Sequence, residues 1–139
     1  MREIKFRAWV NEDDPEYSRM VKSEQAITTI LSHKYGDNGV ARPAGFSDID
    51  NQPKPERYIL MQYTGLKDTH GTEIYEGDIL DIRTFYKSPK VGQVEFSDGA
   101  FVFDDGGYGY LGDVISHSDV IEVVGNIYES EYLIKNKGD

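Results

Sequence analysis

The chain contains no cysteine. That excludes disulfides and every thiolate metal site, and it suits a reducing compartment such as the cytoplasm. Histidine is nearly as scarce, with His33, His70 and His117 alone. No two of them share the i, i+4 spacing by which a helix presents a metal, and each lies near a turn or an element end, where surface histidine is the ordinary case. No apolar run approaches the ~20 residues of a membrane-spanning helix. The opening MREIKFRAWV interleaves charges with apolar residues and does not read as a signal peptide. Basic residues are few: 15 against 25 acidic ones leave a net charge of −10. Such a balance repels phosphate backbones at long range and makes general nucleic-acid binding unexpected, while it favours solubility and docking on basic protein surfaces.

What remains is a chain of 139 residues, the ordinary size of one domain, able to bury roughly two thirds of its unfolded surface. Its ten tyrosines and 14 glycines favour short strands joined by tight turns. Ile4, Phe6 and Ala8 alternate with Lys5, Arg7 and Trp9, which predicts a strand with one face buried. NEDDP at 11–15 reads as a turn, and Tyr17–Val21 as a returning strand that completes a hairpin. Ser23–Lys34 is the one predicted helix: Ala26, Ile27, Ile30 and Leu31 share a face, and Ser23 can cap the start. Tyr35–Glu56 reads as a long loop, an unusual feature inside a compact domain and therefore a connection or a variable insert.

The second half carries the strands. Tyr58–Tyr63 is one, breaking at Thr64-Gly65. Asp68-Thr69-His70-Gly71 has the residue order of a type I turn, and Glu76-Gly77-Asp78 forms a second tight turn that launches Ile79–Tyr86. Lys87–Gly92 reads as a loop because it holds Pro89. Asp98-Gly99 joins two strands as a hairpin. Asp104–Gly112 reads as an exposed loop presenting Tyr108 and Tyr110. Val120–Tyr128 is the last strand, with a bulge or close backbone approach at Gly125. Glu129–Leu133 reads as one helical turn, before an end that frays. The expected fold is mainly β, of α+β type. An N-terminal part, residues 1–57, holds the hairpin and helix; a C-terminal part, residues 58–139, holds a small β-barrel.

The blocks REIKFRAW (Arg2–Trp9) with the following Met20, MQYTGLKD (Met61–Asp68), IYEGDI (Ile74–Ile79) and VVGNIYE (Val124–Glu129) resemble, in order and spacing, the YopX family of bacteriophage and prophage proteins. Residues 26–56 and 83–90 have no counterpart in that resemblance, and Val124 stands where the family often has isoleucine. The resemblance implies a β-rich fold with a small barrel in the C-terminal half and an origin in phages of low-GC Gram-positive bacteria. It implies no assigned activity and carries over no catalytic residue.

The residues themselves offer little chemistry. Ser116-His117-Ser118-Asp119 holds the letters of a nucleophilic triad, but a triad is a spatial arrangement and not a run of neighbours. Asp104-Asp105 ahead of two glycines could hold a hard cation through oxygen; a solvated acidic loop explains the same residues. Gly71, Gly77 and Gly106–Gly109 lack the lysine and serine or threonine that complete a phosphate loop. No catalytic residue, metal site or cofactor is assigned. The candidate partner-binding residues are Trp9, Tyr108 and Tyr110, aromatics of the kind that anchor interfaces; for Trp9 a second small core is the competing reading. Lys67, Arg83, Lys87 and Lys90 beside Tyr86 form the nucleic-acid candidate. The expectation is a non-enzymatic phage or prophage accessory protein that binds a host or phage protein. A nucleic-acid-associated module is the alternative, and self-association through strand edges is open.

Overall fold

The computed structural model describes residues 3–12, 15–28, 58–85 and 87–135. The protein is mainly β, as expected. Two compact units divide it, one spanning Lys5–Met61 and the other Gln62–Asp139 with the first four residues.

In the Lys5–Met61 unit, β1 (Phe6–Val10) pairs with β2 (Arg19–Val21), Trp9 standing opposite Met20. The predicted hairpin is therefore present, with a short 3-10 turn at Pro15–Tyr17 between its arms. Residues 24–28 are helical (α1), and the Ser23 hydroxyl accepts the Ala26 amide at 3.1 Å, as a cap should. The rest of the predicted helix and the loop expected at 35–56 lie outside the described residues. Ala8, Val10, Ala26, Ile27 and Tyr58 form the core of this unit. Two expectations change. Ile4 precedes the strand and is exposed, and the face of Arg7 and Trp9, for which a second small core was one of two readings, is buried like that of Ala8 and Val10. The strand is covered on both faces, which alternation within one strand does not reveal.

β3 (Tyr58–Lys67) runs on past the break expected at Thr64-Gly65; its register against β4 (Glu73–Tyr75) shifts between Tyr63 and Lys67, so the glycine is absorbed as an irregularity. The Gln62–Asp139 unit is built on a five-stranded sheet of order β8-β7-β6-β5-β9. Its strands are β5 (Asp78–Thr84), β6 (Lys87–Ser97), β7 (Ala100–Asp104), β8 (Tyr108–Tyr110) and β9 (Val120–Asn126). The described strand pairings β1–β2, β3–β4, β5–β6, β5–β9, β6–β7 and β7–β8 are antiparallel. Leu80, Ile82, Val94, Phe103 and Ile121 alternate onto one face and pack with Ile74 and Leu111. Each such side chain contributes about 1.5–3 kcal/mol by leaving water. The stretch expected as a loop at 87–92 is strand. Pro89 is tolerated because this end of β6 pairs only with β5, and there the register shifts between Ile82 and Thr84. Two further elements were not expected. β8 lies within the stretch read as loop, and α2 (Leu111–Ser116) follows it to pack on the core face of β7 and β8. The last helical turn, α3, is Tyr132–Lys135, slightly later than expected.

Asp98-Gly99 forms the two-residue hairpin predicted: φ is 51° and 82°, so both residues take the left-handed conformation of a type I′ turn. Gly125 sits where β9 slips by one residue against β5, and a Cβ there would lie 2.6 Å from the Ser130 Cβ. At Gly92 a Cβ would lie 2.8 Å from the Asp104 carbonyl carbon and would collide with its oxygen.

One carboxylate ties the sheet to the chain before it. Asp68 is buried. Its Oδ1 accepts the amides of His70 (2.9 Å) and Thr72 (2.8 Å), which shapes the predicted turn, and Gly71 N–H closes that turn on the Asp68 carbonyl at 3.1 Å. Its Oδ2 accepts the Val123 amide in β9 at 3.0 Å. Thr69 completes the join, donating its amide to the Ile121 carbonyl and accepting the Ile121 amide on its hydroxyl. The outer edge of β9 is thus taken up by residues 68–69. Burial raises the Asp68 pKa, but the backbone donors from Val123, Thr72 and His70 outweigh it and hold the group below its ordinary value.

Two outcomes follow. Asp68→Asn keeps one acceptor for the turn but faces an amide nitrogen toward Val123 N–H, and should cost about 1.5–3 kcal/mol in urea unfolding at neutral pH. The wild-type contribution is present above the unfolded carboxylate value near 4 and is lost as pH falls through the lower folded value; the acid limb of its stability profile should flatten in the variant. Gly92→Ala should destabilise by about 1–3 kcal/mol, because the neighbour it meets is backbone.

Candidate functional site

The strands β6, β7 and β8 have a core face and an outer face. Register fixes the outer one. Tyr108 stands opposite Asp104, which stands opposite Gln93; Tyr110 stands opposite Val102, which stands opposite Glu95. The intervening residues, Phe103 and Gly109, turn to the core, where Val114 of α2 comes within 3.0 Å of the position a Gly109 Cβ would occupy. Two rows therefore cross three strands on the outer face, each ending in a tyrosine. Tyr108 and Tyr110 are 71% and 65% exposed. With Ser97, Asp98, Val102 and Gly109 they line a groove of about 550 Å³.

Three features shape this place. The Asp98-Gly99 turn folds β7 back on β6 and leaves the Asp98 carboxylate at the groove. Asp104 and Asp105 shape the β7–β8 connection, Asp104 Oδ1 accepting the Gly106 amide (3.0 Å) and Asp105 Oδ1 the Gly107 amide (3.2 Å). Third, β8 ends the sheet: among the described residues no strand pairs with its other edge. The local field is negative. The carboxylates of Asp104 and Glu95 raise the Tyr108 phenol pKa, because they oppose a second negative charge beside them.

The other predicted residues fall elsewhere. Trp9 is buried, and its indole N–H donates to Asn11 Oδ1 at 3.2 Å, so little of its ring is open to solvent. Of the nucleic-acid candidates, Tyr86 lies outside the described residues. Arg83 is bonded to Asp81 at 3.2 Å, and that hydrogen bond raises its pKa further. Lys90 pairs with Asp105 at 3.8 Å. Lys67 and Lys87 are exposed, one at the end of β3 and the other at the start of β6. Half of the described basic residues in this set are therefore offset by acids.

Ser116, His117 and Asp119 do not form a relay. Ser116 Oγ and His117 Nδ1 are 3.2 Å apart, but the same serine donates to the Asp113 carbonyl, the same ring nitrogen lies 2.8 Å from that carbonyl, and Asp119 Oδ2 accepts the Phe85 amide at 2.8 Å. Among the described residues no three histidine or carboxylate groups converge on a common point, and no helix is long and apolar enough to cross a membrane.

Among the described residues, four exposed aromatics were missed: Tyr17, Phe85, Phe96 and Tyr132. Phe85, 80% exposed, sits at the β5–β6 turn, and Phe96 packs edge-on to Phe101 (5.1 Å between ring centres) while staying half open. Phe96 was hidden because it shares the core face of β6 with Val94, and alternation alone places it inward. Phe85 was hidden because β5 was expected to continue past it.

The family model described as YopX protein matches residues 5–135, and the chain belongs to that family. Two solved structures are similar along nearly all of it. One is protein EF1440 from Enterococcus faecalis, 21% identical with a TM-score of 0.56, covering 96% of this chain and 99% of that one. The other is protein yopX from Bacillus subtilis, 22% identical with a TM-score of 0.56, covering 96% and 98%. At these identities the likeness is one of fold. No curated protein matches.

The tyrosine face predicts a separation of stability from surface chemistry. Tyr108→Ala with Tyr110→Ala should leave the thermal unfolding midpoint nearly unchanged, within about 0.5 kcal/mol per site, as exposed positions do. Spectrophotometric titration should find a tyrosine ionising above the ordinary range, and Asp104→Asn should lower it.

Proposed function

We propose that this YopX-family protein is a non-enzymatic accessory protein, encoded by a phage or prophage and acting in the bacterial cytoplasm, that holds a protein partner on the outer face of β6, β7 and β8. The observation that carries this reading is the pair Tyr108 and Tyr110. Two large aromatics stand side by side in water on an edge strand, above a groove. Exposed tyrosines of this kind supply interface area at low entropic cost. The net charge of −10 supports a partner with a basic surface. In this reading residues 1–57 are a separate α+β part, and the five-stranded sheet is a small barrel left open at β8. A second copy of the chain is the rival occupant of that opening, so self-association is an outcome to be measured.

A nucleic-acid-associated module is the second reading, favoured by exposed Phe85 and Lys87 at the β5–β6 turn. Against it stand the pairing of Arg83 and Lys90 with acids and the overall negative charge.

The test uses the tagged full chain as bait in lysate of a bacterium that carries it, with wild type and the Tyr108→Ala/Tyr110→Ala variant in parallel, each with and without nuclease. The expected result is a defined protein that survives nuclease and is lost with the variant. Equal capture by both baits would refute the docking face. Capture abolished by nuclease or moderate salt, and weakened by Lys87→Ala, would replace it with the nucleic-acid reading.

A further inference from the structure

The groove has a chemical bias as well as a shape. Its lining includes one formal charge, the Asp98 carboxylate. The two rows that cross it, Gln93–Asp104–Tyr108 and Glu95–Val102–Tyr110, add two more carboxylates and no lysine or arginine. Lys90, further along β6, is held by Asp105 on the β7–β8 connection. Two open tyrosine faces, negative by their own quadrupole, thus stand among three carboxylates. Such an arrangement attracts a cation, and a planar one gains most, because a guanidinium can stack on a ring while its N–H groups reach carboxylate oxygens.

The backbone adds a direction. On its outer side β8 pairs with no strand among the described residues, so its remaining N–H and C=O groups can accept an added strand. In an extended segment, side chains at i and i+2 share a face and repeat about every 7 Å. Tyr108 and Tyr110 have that same repeat, being alternate residues of one strand.

We propose that the groove receives an extended, arginine-bearing segment of a partner protein, which pairs with the edge of β8 and sets guanidinium groups from alternate residues over Tyr108 and Tyr110, with Glu95, Asp98 and Asp104 as their counter-charges. This rests on the reading of the same face as a docking site and adds the chemistry of its occupant. A second copy of this chain fits poorly, since it would bring carboxylates onto carboxylates. A nucleic acid would bring phosphates onto them.

The test is a titration of the isotope-labelled full chain, followed by amide chemical shifts. The probe is a blocked peptide of about nine residues, long enough for one strand, with arginine at alternate positions between threonines. A peptide with glutamate for arginine is the control. The expected result is a set of shifts confined to residues 95–110, present with the arginine peptide and absent with the control, and weakened several-fold between about 50 and about 200 mM salt. The variant Glu95→Gln/Asp98→Asn/Asp104→Asn should bind about tenfold more weakly. Each amide keeps an acceptor oxygen, so Asp104→Asn can still receive the Gly106 amide, and unchanged thermal unfolding will show that the fold is intact. Tyr108→Phe/Tyr110→Phe should retain binding, and Tyr108→Leu/Tyr110→Leu should lose it. Shifts elsewhere on the acidic surface, no shifts at all, or full binding by the triple variant would overturn the proposal. So would a concentration-dependent dimer abolished by Tyr108→Ala/Tyr110→Ala, which would give the groove to a second copy. If the peptide fails while a lysate protein is still captured through the two tyrosines, the docking face survives and its cationic occupant does not. If both fail, the docking face falls too.

Discussion

The Asp68 carboxylate is the point on which the Gln62–Asp139 unit depends. A buried charge is costly unless its oxygens are satisfied, and here three backbone amides satisfy them. Two of those amides belong to the turn that follows β3; the third belongs to β9. The same group therefore shapes a local turn and fixes the last strand of the sheet. Around it the chain repeats the device at smaller scale. Gln62 and Glu76 exchange bonds, the Gln62 amide to Glu76 Oε1 at 2.7 Å and the Glu76 amide to the Gln62 carbonyl at 3.0 Å. Gly77 N–H reaches the Val94 carbonyl, and Ile127 N–H reaches that of Gly77, both at 2.8 Å. Strands that do not pair continuously are joined by these single bonds.

The blocks MQYTGLKD, IYEGDI and VVGNIYE meet in that network. Residues 62–68 hold the turn and reach β9. Residues 74–78 hold the second turn, where the Tyr75 amide donates to Asp78 Oδ2 at 2.8 Å. The last block supplies Gly125, pressed against Ser130, and Asn126, whose Oδ1 accepts the amides of Tyr128 and Glu129. These are architectural duties. They explain why the blocks identify a fold while assigning no chemistry. The tyrosine face lies between the second and third of them, in residues 93–110.

How much of this could be read from the sequence varied with how local the cause was. Asp98-Gly99 was legible because a two-residue hairpin demands left-handed residues and these supply them. Asp68 to Gly71 was legible as a turn, but the bond from Asp68 to Val123 was not, since nothing within a few residues points 55 positions ahead. Trp9 was ambiguous for a different reason: alternation separates two faces without saying what covers each. β8 was invisible because Tyr-Gly-Tyr between glycines has no period to count. α2 was invisible because its N-cap residue, Tyr110, makes no side-chain cap. Pro89 argued against a strand that exists, since the partner it would have obstructed is absent at that end of β6. The tyrosines themselves were read as candidates from residue type alone, and their common face required the register.

The Asp68–Val123 bond also orders events in time. β5 is the inner strand between β6 and β9, so until Val120–Asn126 has been synthesised one whole edge of β5 stands open, with Leu80 and Ile82 short of their Ile121 partner. At ~5–20 residues per second, translation outlasts the microseconds in which the β6–β7 hairpin can close on its own turn. A nascent chain therefore passes through a period with its local hairpin formed, its central strand unpaired on one side and the Asp68 carboxylate still in water. The long-range closure through Val123 comes last, once the whole of β9 has been made.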